Sequence, residues 1–273
     1  MRYVQMNSKV RGIIACCSPD GIVSLDACEH SGKPDICKQT DIYMSEHILC
    51  IFFPLAEGEM ITGAWLREEK HFISRELILV LNTSSQRTRT FGPYFRPERQ
   101  HQYRYQPLLE KNAYQITGFC YNDRGCYSSA QRRFGVTSAD EPLGTLPDEP
   151  FQATHTLPNL PILYWFKSSG SFTGVSHVRL CVDTKKPHEP TVGMLLLYED
   201  RQESLGQWRY DCEIRDYELN GRMYFFPGET KSGPYTKISC NDEMKDGWIE
   251  IPQTAEVLWW FKSNCSRLEI VSV

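Results

Sequence analysis

No apolar run in this 273-residue chain approaches the ~18 residues that a membrane-spanning helix needs. The opening stretch MRYVQMNSKVRGIIACC also lacks a secretory signal, because its apolar run, Gly12 to Cys17, is too short and no cleavage pattern follows. No membrane association is expected, and the cytoplasm or nucleus is the expected compartment. Sustained 3.6-residue periodicity is missing as well, which excludes a helical bundle; only a short helix near residues 36–47 fits the pattern. Neither sign of charge dominates, with 30 lysines and arginines against 34 acids. A net charge of −4 gives no electrostatic reason to expect nucleic acid as a partner.

Catalytic motifs are absent in the same sense. Ser168-Ser169-Gly170-Ser171 is not a nucleophile elbow, and Gly228 to Gly233 is not a phosphate loop. Adjacent acids such as Glu68-Glu69 and Asp242-Glu243 read as solvated surface. The expected protein is therefore not an enzyme, and no cofactor is implied. The eleven cysteines are odd in number and irregularly spaced, which suits buried thiols in a reducing compartment better than a disulfide framework. Cys16, Cys28, His30 and Cys37 form a weak alternative, a tetrahedral zinc site. Their spacing fits no standard two-plus-two pattern.

What is present is strand. Short β-branched and aromatic runs alternate with Gly, Pro, Asn and Asp, the signature of an all-β chain. Leu77 to Leu81, then Asn82 to Ser85, then Arg87 to Phe91 reads as a hairpin; Met194 to Tyr198, then Glu199 to Gln202, then Ser204 to Trp208 reads as another. A third is expected over Gly12 to Ala27. Residues 137–161, TSADEPLGTLPDEPFQATHTLPNLP, hold five prolines and several acids, as an extended connector would. The expected domains are 1–137 and 161–273, with 138–160 as linker.

The chain also repeats itself. Residues 162–168 read ILYWFKS and residues 257–263 read VLWWFKS, identical at five of seven positions. Similar strands at the two ends of one domain can be neighbours in a sheet, with their aromatics stacked across the pair. Each half further shows an apolar strand, a Gly-containing turn, a hairpin ending in Gly and an aromatic, and a closing strand pair. Two diverged copies of one all-β unit, β-prism or β-sandwich, joined in tandem by the Pro-rich acidic linker, account for this pattern.

Arg89-Thr90-Phe91-Gly92-Pro93-Tyr94 and the closing pattern Ile116 to Phe119, Arg124 to Tyr127 and Phe134 to Val136 resemble jacalin-related lectins. The resemblance covers roughly residues 48–137 and implies a β-prism that binds mannose or galactose through loops at one end. The family's G-x-x-x-D sugar loop corresponds to Gly125-Cys126-Tyr127-Ser128-Ser129, where Ser129 replaces the ionised carboxylate with one neutral oxygen. Gly193 to Asp200 with Ser204 to Arg209 is similar to the β-rich region of uncharacterised fungal proteins, some of which carry an F-box. That similarity implies a recognition module without the adaptor.

The expected role is thus non-enzymatic recognition of carbohydrate by a degenerate lectin-like module. An intracellular protein-interaction module is the alternative, and a cryptic hydrolase the third reading. The candidate ligand-binding residues are Asn122, Asp123, Gly125, Tyr127 and Ser129 in the first copy, with Trp208, Arg209, Ser263 and Asn264 in the second. Backbone amides and short polar side chains would bind hydroxyls, and Tyr127 or Trp208 would pack on a sugar's apolar face. Trp259 and Trp260, being consecutive, would face opposite sides of a strand, so one could be a platform if a sheet face is open. Interleaved arginines and aromatics from Arg87 to Tyr105 read as a solvated face rather than a nucleic-acid surface.

Overall fold

The computed structural model describes residues 1–29, 48–70, 78–109, 112–122, 133–156, 164–219, 222–240 and 246–271. The helix expected near 36–47 lies outside them. Among the described residues the chain is nearly all-β, with twenty strands and one short 3₁₀ turn at Pro97–Gln102. No helix there is long and apolar enough to cross a membrane. The chain divides into two compact units, Met1–Ile36 with Glu57–Tyr164, and Cys37–Ala56 with Trp165–Val273.

In the first unit, β1 (Arg2–Gln5) precedes a hairpin of β2 (Val10–Ser18) and β3 (Gly21–Glu29), as the sequence pattern indicates. The next strand in the chain, β4 (Leu49–Pro54), belongs to the second unit. β5 (Ile61–Glu69), β6 (Ile78–Thr83), β7 (Thr88–Phe91) and β8 (Tyr103–Pro107) form an antiparallel sheet in the order β7-β6-β5-β8. β9 (Asn112–Tyr121) then pairs with both β1 and β10 (Phe134–Thr145). Residues 138–145, part of the Pro-rich stretch, continue β10 through several register shifts that absorb Pro142 and Gly144. Beyond it, the Phe151 carbonyl accepts hydrogen bonds from Gln100 Nε2 and Tyr105 Oη, both at 3.1 Å, so this backbone is docked rather than solvated.

Trp65, Phe91 and Phe119 are fully buried in this unit. Arg67 is buried beside them; its guanidinium carbon lies 4.8 Å from the Phe95 ring centre and 5.1 Å from that of Tyr103, and Nη2 donates to the Pro93 carbonyl at 2.7 Å. The Tyr121 hydroxyl donates to the Leu25 carbonyl at 2.8 Å and accepts from the Leu25 amide at 3.1 Å, tying β9 to β3.

The second unit repeats several of these relations. β11 (Phe166–Ser171) pairs with β19 (Glu256–Lys262), which pairs with β20 (Cys265–Val271). β12 (His177–Val182), β13 (Thr191–Leu197), β14 (Gln202–Gly206) and β15 (Glu213–Glu218) form a sheet ordered β14-β13-β12-β15. β16 (Met223–Thr230), β17 (Gly233–Ser239) and β18 (Ile249–Ile251) form the third, ordered β17-β16-β18. Phe166, Phe261, Trp259 and Tyr224 are fully buried. The two similar phrases are neighbours, because Phe166 pairs with Phe261 and Lys167 with Trp260.

Buried hydroxyls stitch the three sheets together. Ser168 Oγ on β11 accepts the Gly206 amide of β14 at 2.8 Å. Ser266 Oγ on β20 accepts the Thr236 amide of β17 at 3.1 Å, and Thr191 Oγ1 on β13 accepts the Ile238 amide of β17 at 3.0 Å. Edge-strand amides that would otherwise be unsatisfied are thereby paired. β4 completes the unit: the Cys50 carbonyl accepts the Trp208 amide at 2.9 Å, and the Phe52 carbonyl accepts the Ser204 hydroxyl.

Candidate functional site

The turn Ser263-Asn264 links β19 to β20 directly after the Lys262–Cys265 pair. Its position is fixed from below by Gln207, which is buried and donates from Nε2 to the Lys262 carbonyl at 3.3 Å and the Ser263 carbonyl at 3.5 Å. Gln207 is itself held by its amide, 2.8 Å from the Val192 carbonyl. That approach requires glycine twice. A Cβ on Gly193 would lie 1.9 Å from the Gln207 carbonyl oxygen, and Gly206 has φ +71°. From the side, Cys265 Sγ donates to the Ser232 carbonyl at 3.0 Å, bringing the turn before Gly233 against the Ser263-Asn264 turn.

Between these elements lies a shallow, solvent-open pocket. Lys186, Pro190 and Val192 line one side, Tyr235 another, and Lys262 to Ser266 with Gln207 the rest. Lys186 Nζ donates to Asn264 Oδ1 at 3.2 Å. Lys262 Nζ lies 5.2 Å from the Trp165 ring centre. The His188 ring sits 4.4 Å from that of Tyr235, and its pKa is lowered by burial and by the charges of Lys186 and Lys237. Cys265 lies under the pocket with its thiol pKa raised, because burial outweighs the influence of Lys262 and Lys186. The pocket is thus lined by an aromatic side chain, hydroxyl and amide groups and two lysines. Nothing in it resembles a nucleophile with an adjacent base.

Ser263 and Asn264 are therefore brought to one site, whose lining does not include Trp208 or Arg209. Asn122 Oδ1 accepts the Arg133 amide at 2.7 Å. Asp123, Gly125, Tyr127 and Ser129 lie outside the described residues. Trp208 is 9% exposed and its ring packs 6.4 Å from that of Phe52, so it serves the core of its unit. Trp259 and Trp260 are both fully buried, and neither is a platform.

Arg209 is held in an ion-pair network. It donates to both Asp211 oxygens at 3.0 and 2.7 Å and to Asp183 at 3.4 Å, while Lys185 reaches Asp211 at 2.9 Å. Burial works against the Arg209 charge, but Asp211 and Asp183 outweigh it and raise its pKa. Burial likewise pushes Asp211 up, yet hydrogen bonds from Arg209 and Lys185 hold it below the usual carboxylate range. In the first unit, Arg87, Arg99 and Arg104 pair with Glu59, Glu69 and Glu68.

Cys16 pairs with Ser24 and Cys28 with Gly12, four residues apart along each strand, or roughly 13 Å at ~3.3 Å per residue. These two thiols cannot share one tetrahedral ion. His30 and Cys37 lie outside the described residues, among which no group of His, Cys, Asp and Glu could hold a metal.

Sequence reasoning missed Lys186, Gln207, Tyr235 and Lys262. Only Lys262 carried a signal, as the lysine of the repeated F-K-S ending. No protein-family model matches the chain, and no curated protein sequence matches it.

Proposed function

We propose that the chain is a non-enzymatic recognition protein whose second unit binds a saccharide at the pocket beside the Ser263-Asn264 turn. The observation that carries this reading is the pocket's position and lining: it opens at the tip of the closing hairpin and combines the Tyr235 ring with hydroxyl and amide groups. Recognition sites for small polar ligands join an apolar wall to a few placed polar groups.

Fold relations support the lectin-like side of the proposal. β1 joins the closing pair β9-β10 in the first unit and β11 joins β19-β20 in the second, and the four-stranded sheets share one order, β7-β6-β5-β8 and β14-β13-β12-β15. We read the units as related β-prism-like copies in tandem. The hairpin of β2 and β3 precedes the four-stranded sheet in the first unit, whereas β16 to β18 follow it in the second. The copies are therefore offset in chain order.

The test is a glycan array probed with the full-length chain, its Tyr235→Ala and Asn264→Ala variants, and a Ser129→Asp variant for the first copy's loop. Binding competed by free sugar and lost in the first two variants is expected. A silent array with folded protein would sink the saccharide reading in favour of protein recognition.

A further inference from the structure

The charge of the pocket narrows its ligand. Its lining contains Lys186 and Lys262 and no carboxylate. Lys186 does have an acidic neighbour, Asp183 Oδ2 at 4.0 Å, but Arg209 Nη1 approaches the same oxygen at 3.4 Å. Asp211, the next acid, is held by Arg209 and Lys185. Three cations thus share two carboxylates on this side. Among the described residues no carboxylate pairs with Lys262, whose ammonium contacts only the Trp165 ring face. Lys186 and Lys262 both line the pocket, and Lys237 adds charge near His188. In a chain with a net charge of −4, this is a local reversal of sign.

We infer that the saccharide taken here is acidic: a sugar ring bearing a carboxylate or sulfate, its anionic group between Lys186 and Lys262 and its apolar face on Tyr235. The inference rests on the saccharide reading above and deepens it. Lys186 Nζ donates to Asn264 Oδ1 at 3.2 Å, which places the ammonium beside the Ser263-Asn264 turn, and an ammonium has three protons, so a ligand carboxylate or sulfate oxygen can accept another. The expected gain is about tenfold in affinity, ~1.4 kcal/mol.

The experiment is a titration of the isotope-labelled full-length chain followed by amide NMR, with methyl glucuronide, methyl glucoside, and acetate or sulfate alone as probes. An array carrying neutral, uronate, sialylated and sulfated glycans extends it. The expected result is glucuronide binding about tenfold or more tighter than glucoside, with shifts at Ser263, Asn264 and Tyr235. Lys186→Gln and Lys262→Gln, both surface changes that leave the core intact, should each remove most of that preference. Equal binding of glucuronide and glucoside would overturn the acidic assignment while leaving the saccharide reading in place. Acetate or sulfate binding as tightly as glucuronide would leave an anion site and overturn the sugar reading. No binding to any acidic glycan would overturn the inference outright, and neutral-glycan binding in that case would preserve the broader reading.

Discussion

The rings of Phe166 and Phe261 lie 5.8 Å apart at 33° across paired antiparallel strands, and each is fully buried. They are the shared phenylalanine of the two repeated phrases. Truncating Phe261→Ala removes this pair and leaves a cavity in the buried core of the unit. A loss of about 3–5 kcal/mol is expected, read by urea denaturation of the full chain. A loss under about 1 kcal/mol would mean that the surrounding strands collapse into the gap, and that the contact does not anchor the unit.

Ser168→Ala tests the hydroxyl seams. Its Oγ takes the Gly206 amide at 2.8 Å in a buried place, so the variant leaves that amide without its partner. The expected cost is about 1–3 kcal/mol despite the loss of only one atom. Faster hydrogen exchange at Gly206 should accompany it.

Gly193→Ala and Gly135→Ala form a contrasting pair. A Cβ at Gly193 meets backbone on the neighbouring strand at 1.9 Å, whereas a Cβ at Gly135 meets nothing within 4 Å. The first should cost about 3 kcal/mol or more and disturb Gln207, and with it the pocket. The second should be neutral or stabilising by up to about 1 kcal/mol. Melting temperatures of the two purified variants decide the matter.

Lys167 sets a pH dependence on the alkaline side. Burial lowers its pKa to about 8, against a smaller raising influence from Glu256. The unfolded chain titrates this amine near ~10.4 and so binds more protons than the folded chain between the two values. Stability should therefore rise as pH climbs from about 8 to about 10 through this group. Lys167→Met should be more stable at pH 7 and lose that part of the rise, measured by urea titrations across the range.

Much of the strand content could be read from residues because hairpins announce themselves locally. Leu79 to Leu81 and Met194 to Leu197 are apolar runs followed by Asn82 to Ser85 and by Glu199-Asp200, and the chain turns at Ser84-Ser85 and at Glu199-Asp200. The pairing of β11 with β19 was legible only because the two phrases are nearly the same. β4 was not legible as part of the second unit, since its links to Ser204 and Trp208 use the carbonyls of Phe52 and Cys50, which every residue type possesses. Trp208 reads as a surface aromatic beside an arginine, yet Phe52, far away in sequence, covers it. Ser263 and Asn264 could be found as the turn after a strong strand. Their partner Lys186 sits 78 residues earlier in a charged connection and has no local mark of its role.

The placement of β4 separates covalent order from structural order. A protease cutting once between Thr145 and Phe151 would yield two fragments, and the N-terminal one would keep Cys50 and Phe52. Those carbonyls would still hold the Trp208 amide and the Ser204 hydroxyl of the other fragment. The nicked molecule would therefore migrate as one species in native buffer and part only in denaturant. A clone beginning at residue 165 would lack the strand that the cut molecule retains.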